Sequence, residues 1–199
     1  MLLIEEDRRS RQGAWLLLAS LGAFFLSSMM LFVVYVARRT SQTGADAHGY
    51  SIPRSFLTST MLLIGISVSL HYAVMAARRD QAASVLRLSL LAMGLALGFF
   101  IVQSEGMYVL ITRALDDVSF NSSLYPFTFF LALIHALHVV GGMIALVTVV
   151  SGAAKQRYDH ERHWGLQFCT LYWHFLDIVW LVMLLGFVTA IILIQRGSA

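Results

Sequence analysis

A few side chains sit where their chemistry is out of keeping with their surroundings. His135 and His138 lie three residues apart within FFLALIHALHVVGG, and His174 and Asp177 three apart within YWHFLDIVW. Gln103, Ser104 and Glu105 interrupt another apolar run, and His71 a fourth. Residues three apart on a helix share a face, so each pair can present two polar groups together. Three imidazoles and a carboxylate are the ligand types of a redox metal site. The same groups can instead bond across helices and hold a bundle together, or line a cleft that holds a lipid headgroup or ordered water. No Glu-x-x-His pair reinforces the ligand reading, so a polar network or lipid cleft is the preferred expectation. Cys169, the one cysteine, excludes an internal disulfide, a Cys-rich zinc site, a protein-held iron–sulfur cluster and a CxxCH haem attachment.

The elements that must position these groups follow from composition. Of 199 residues, 58% are hydrophobic and only 13% charged, against about 45–50% and about 25% in soluble domains. That excludes a disordered chain, a disulfide scaffold and most cytosolic enzymes. Five apolar segments, at about 14–37, 56–77, 86–111, 124–151 and 165–194, each exceed the roughly 20 residues that a helix needs to cross a bilayer. No period-2 alternation points to a barrel. The first segment is too long for a signal-peptide core of about 7–15 residues. The expectation is an all-α polytopic membrane protein with five transmembrane helices, forming a single domain over 1–199.

Charge sets the expected orientation. Arg8, Arg9, Arg11, Arg78, Arg79, Arg87, Lys155, Arg157 and Arg162 fall on one side; Arg38, Arg39, Arg54, Arg113 and Arg196 fall on the other. The positive-inside rule then places the N-terminus in the cytoplasm and the C-terminus in the periplasm. On the same rule the net charge of +3 reflects cytoplasmic loops and not a nucleic-acid partner. The stretch 40–53 is expected to be a surface loop and 116–123 a short outer loop.

At about 1.5 Å per residue, His135 and Asp177 reach similar depths near mid-membrane. The expectation is therefore an interhelical network of His135, His138, His174 and Asp177 between the fourth and fifth helices, with Glu105 higher in the third. Gly141-Gly142 and the pair Gly94 and Gly98 are expected to let neighbouring helices approach closely. Trp15, Tyr125, Trp164 and Tyr172 suit the interfacial belts, whereas Trp173 and Trp180 lie deeper, as packing residues or cleft walls.

These residues resemble a family. YWHFLDIVW, within RHWGLQFCTLYWHFLDIVWL, is similar to the hallmark of subunit III of the haem–copper terminal oxidases. FFLALIHALHVVGG resembles that family's FHGLHV-type segment, VQSEGMYVL its third-helix Gln/Glu segment, and GAWLLLAS its first helix. The resemblance runs from about Gly13 to Ile194, in the short five-helix bacterial form. Two departures stand out. Leu21 follows Ala19-Ser20 where the family carries a Glu, and Gln167 takes the Glu position of a GFE start. Any proton-related role tied to those carboxylates is weakened, and the chain reads as a divergent branch.

The resemblance implies a non-catalytic subunit in the bacterial inner (plasma) membrane. It would pack beside subunit I, which carries the haem and copper, with subunit II in the same complex. It would have no cofactor of its own. It would bind phospholipid in a cleft and support proton uptake and sustained turnover. Glu105, His135, His138, Trp173, His174 and Asp177 are the residues expected to form that lipid cleft or polar network. A quinol oxidase subunit III, an accessory protein of a nitric oxide reductase and, more remotely, a stand-alone membrane metalloenzyme are the alternatives.

Overall fold

The computed structural model describes residues 2–42, 55–116, 125–158 and 163–197. Every regular element among them is a helix: α1 (Leu2–Gln42), α2 (Ser55–Ala77), α3 (Ala82–Asp116), α4 (Tyr125–Ala154) and α5 (Trp164–Gly197). Each contains a stretch long and apolar enough to cross a membrane. Hydropathy located all five. It missed how far several of them run, because helices continue on propensity where hydropathy stops. The segment LLIEEDRRSRQ before the apolar run is rich in Leu, Glu, Arg and Gln, all good helix formers. α1 therefore begins at Leu2 and spans about 60 Å. At its other end it takes in the first residues of the expected 40–53 loop. The remainder of that loop, from 43, and residues 117–123 of the expected outer loop lie outside the described residues.

α2 and α4 end in the same way. The amide of Gln81 donates to the carbonyl of Ala76 and that of Asp80 to Ala77; Arg157 donates to Gly152 and Gln156 to Ala153. Both are Schellman caps, which satisfy the last helical carbonyls by placing one residue in the left-handed region. That residue is Asp80 at φ 55° and Gln156 at φ 50°. An Asp tolerates this conformation; a Gln has no such advantage.

α5 is the central element. It packs against α1, α2 and α4, while α3 packs against α2 and α4. α2, α3, α4 and α5 thus close a four-helix ring, and α1 lies against its α5 side. The core is aromatic: Phe32, Phe56, Phe99, Trp173, Trp180 and Phe187 are all fully buried. Outward positions such as Leu26, Leu31, Met61, Ile101 and Leu185 are exposed, as a lipid-facing surface requires. At one end of the bundle α1 is tied to α5, where the Arg11 guanidinium lies 4.8 Å from the Trp164 ring centroid.

The glycines divide. A Cβ at Gly142 would meet the buried Trp173 and Tyr172 rings at 3.2 Å, so the α4–α5 approach expected there is present, made against aromatic rings. A Cβ at Gly94 would meet nothing within 4 Å, and one at Gly98 only Leu62 at 3.9 Å. Their i,i+4 spacing does not make the tight helix contact expected of it.

Candidate functional site

The polar groups lie along two seams, one toward α2 and one toward α4, which meet at Trp180 of α5. On the α2 side, the Ser67 hydroxyl donates to Asp177 Oδ2. One turn away, the His71 and His174 rings face each other with centroids 6.3 Å apart. Toward the other end of the seam, Trp180 Nε1 donates to Thr60 Oγ1 at 2.9 Å. Thr60 Oγ1 itself donates to the Phe56 carbonyl at 2.7 Å, so Phe56, Thr60 and Trp180 form a short relay in a buried place. Asp177 is 9% exposed, and its Oδ1 has no hydrogen-bond partner among the described residues.

Toward α4, His135 is fully buried between Trp180 of α5, at 5.2 Å between ring centroids, and Phe25 of α1, at 6.0 Å. Neither of its ring nitrogens has a hydrogen-bond partner among the described residues. His138 is half-buried, lies 5.1 Å from the Phe25 ring and uses Nδ1 on its own helix, at the Ile134 carbonyl 2.8 Å away. The Tyr172 hydroxyl donates to the His138 carbonyl at 2.9 Å. Trp173 is buried against Gly142. Glu105 stands apart, exposed on α3.

The expected network between the fourth and fifth helices is therefore divided. His135 and His138 come together, as do His174 and Asp177, but the two pairs point to different neighbours. The physical reason is rotational. Three residues place His174 and Asp177 on one face of α5, and that face meets α2. Trp173 reaches toward α4, and Trp180 lies between Thr60 of α2 and His135 of α4, so ring packing and not ion pairing joins α5 to the α4 histidines. Matched depth is a property of any two helices in a bundle and cannot choose between neighbours. Tyr172, expected in an interfacial belt, is instead 8% exposed and bonded across to α4.

Sequence reasoning missed Ser67 and Thr60 as members of the buried polar set, and singled out Gln103 only as a polar group within a span. Serine and threonine are common in apolar helices because they can bond back to the preceding turn, as Ser69 does to the Gly65 carbonyl at 2.7 Å. They therefore carry no signal until a partner is in place. Gln103 did carry one, as an amide in a span, and it is 3% exposed with both amide atoms unpartnered among the described residues.

The arrangement is suited to holding helices in register. Among the described residues, no three His, Cys, Asp or Glu side chains gather closely enough to hold an ion.

Comparison with known proteins places this geometry. The family model for cytochrome c oxidase subunit III matches residues 13–190, taking in all five apolar spans. The chain is 29% identical to cytochrome c oxidase subunit 3 of Corynebacterium diphtheriae over 157 residues, 76% of this chain and 75% of that one. It is 29% identical over 128 residues to the mouse protein of the same name, and 31% over 128 residues to that of Oncorhynchus mykiss. It spans about half the length of those two vertebrate relatives, 46% in each case. The two seams lie wholly inside the matched region, which covers most of the chain and reaches all five helices: the chain belongs to the cytochrome c oxidase subunit III family.

Proposed function

We propose that the chain is the non-catalytic subunit III of a bacterial respiratory haem–copper oxidase, set in the inner membrane with its N-terminus in the cytoplasm. Its partners are subunit I, which carries the haem and copper that reduce oxygen, and subunit II. The observation that carries this reading is the family match over all five membrane helices.

The chain's own part is structural and electrostatic. The α2–α5 seam of Ser67, His71, His174 and Asp177 and the α4 pair of His135 and His138 fix the helices that face the partner and the lipid. Glu105 acts outward. It is exposed on α3, and a carboxyl within a membrane span requires a polar partner. A phospholipid headgroup or cleft water bound there would order the interface through which subunit I takes up protons. That is how a chain of this kind sustains turnover without redox chemistry of its own.

The test is purification of the tagged chain from its native membrane. Copurification of a large subunit with haem and copper, seen in a reduced-minus-oxidised spectrum, supports the reading. Isolation of the chain alone with stoichiometric bound metal refutes it. Oxidation of cytochrome c or of quinol by the purified complex then names the electron donor.

A further inference from the structure

An open groove of about 360 Å³ lies between α3 and α4, toward the end where α3 finishes and α4 begins. It belongs to neither polar seam. Its walls include Phe99, Phe100, Met107, Phe129 and Leu133, and Gln103 also lines it. The groove opens sideways onto the lipid-facing surface, where Phe100 is 41% and Tyr108 69% exposed.

Gln103 is the feature that the fold does not use. It is 3% exposed, yet neither its amide nitrogen nor its amide oxygen has a hydrogen-bond partner among the described residues. The adjacent Ser104 is already satisfied, donating to the Phe100 carbonyl at 2.7 Å. An unpaired amide in a hydrocarbon setting is costly, so the groove's occupant has to complement it.

Depth limits what that occupant can be. Gln103 lies nine residues before Thr112, the end of the apolar part of α3, which is about 14 Å along the helix. The midpoint of that span, 82–112, is Leu97, so Gln103 lies about 9 Å along the helix from it, inside a hydrocarbon layer about 30 Å thick and deeper than Glu105. A phospholipid keeps its ester and headgroup oxygens at the boundary, and its chains offer an amide nothing. Ordered water needs two to four polar partners, and these walls are largely aromatic and aliphatic. A helix from a partner is about 10–12 Å across and cannot enter the groove itself.

We propose that this groove binds the head ring of an isoprenoid quinone or quinol. Such a molecule carries its polar oxygens on a flat apolar ring that resides within the hydrocarbon, with a tail that can leave through the sideways opening. A quinone carbonyl accepts from Gln103 Nε2; a quinol hydroxyl can also donate to Gln103 Oε1. The ring lies against phenylalanines from both helices. The volume falls in the usual range for small-molecule sites, about 300–1,000 Å³. The assignment is one of binding alone, with no electron transfer to or from this chain. It goes beyond the accessory role above and depends only on the α3–α4 geometry.

The experiment uses the chain with whatever subunits copurify, in quinone-free phospholipid nanodiscs, and an azido-ubiquinone photoprobe. The expected result is saturable labelling of the segments 99–108 and 129–136, competed by decylubiquinone. Gln103→Leu should weaken the competition about tenfold, the loss of one buried hydrogen bond. Ala136→Phe, which fills the groove from α4, should abolish labelling while leaving copurification intact. Non-saturable labelling spread over the outward faces would overturn the proposal. So would wild-type competition retained in Gln103→Leu, or a groove holding phospholipid that decylubiquinone does not displace. If Gln103→Leu fails to fold, the wild-type map and Ala136→Phe still decide. Failure to recover a haem-bearing subunit would count against the oxidase reading and leave this test standing.

Discussion

Replacing Ser67 with alanine is the most informative single change in the α2–α5 seam. It removes one hydroxyl at a position only 5% exposed and leaves packing volume nearly unchanged. What is lost is the hydrogen bond to Asp177 Oδ2. Asp177 Oδ1 is already unpartnered among the described residues, so the variant leaves this buried carboxyl without its one mapped donor. Interhelical polar contacts in membranes average about 0.6 kcal/mol and reach about 2. The folded-to-unfolded ratio should therefore fall about 3- to 30-fold. The assay is equilibrium unfolding in mixed micelles, run as a double-mutant cycle. Ser67→Ala and Asp177→Asn should couple, whereas His135→Phe and Asp177→Asn should be additive, because His135 packs on Trp180 and Phe25 instead. Coupling of Asp177 with His135, and none with Ser67, would refute the division of the polar groups into two seams.

Two glycine substitutions should have opposite signs. Gly142→Ala drives a Cβ into the Trp173 and Tyr172 rings at 3.2 Å and should cost about 1–3 kcal/mol by overpacking, whereas Gly94→Ala, with nothing within 4 Å, should gain up to about 1 kcal/mol of helix propensity; thermal unfolding in detergent reads both. Gln156→Gly should raise stability by about 1 kcal/mol, since only glycine holds φ 50° without steric cost, and an unchanged melting temperature would argue against the cap. In the α4–α5 connection, burial pushes the Tyr158 phenol above its ordinary range. Its contribution to stability is therefore present below pH about 10 and lost as pH rises through the folded value, and Tyr158→Phe should flatten that alkaline loss. A cysteine introduced near the C-terminus should react with an impermeant thiol reagent from the periplasmic side; labelling only from the cytoplasmic side would reverse the proposed orientation.

The five spans were legible because a bilayer imposes a length and a composition that no other setting requires, and the YWHFLDIVW segment carried the family. Helix ends were less legible: α1 extends to Leu2 through charged residues that hydropathy discards and propensity accepts. Trp173 and Trp180, deep in an apolar run, are buried as packing residues; the full burial of His135 was not legible, because depth does not decide which side of a helix is covered. The partner of Asp177 did not, because periodicity fixes which face of α5 a residue occupies but not which helix covers that face. Ser67 could not be singled out, since most serines in such helices bond to their own preceding turn, as Ser27 does to Ala23 and Ser104 to Phe100. Gly94 and Gly98 show the converse error. Small residues at i,i+4 permit a close helix contact without requiring one, and α2 meets α3 through side chains such as Leu62 and Leu95 instead.

Deletion of the chain from its native complex, followed by time-resolved oxygen consumption, tests the accessory role most directly. The purified large subunit should retain its haem and copper and its initial rate. Its activity should then decay over successive turnovers faster than that of the intact complex. Glu105→Gln in the intact complex should reproduce a milder form of that decay with the same initial rate. Loss of the haem signal on deletion, or an initial rate that collapses at once while the remaining activity stays constant, would contradict the account.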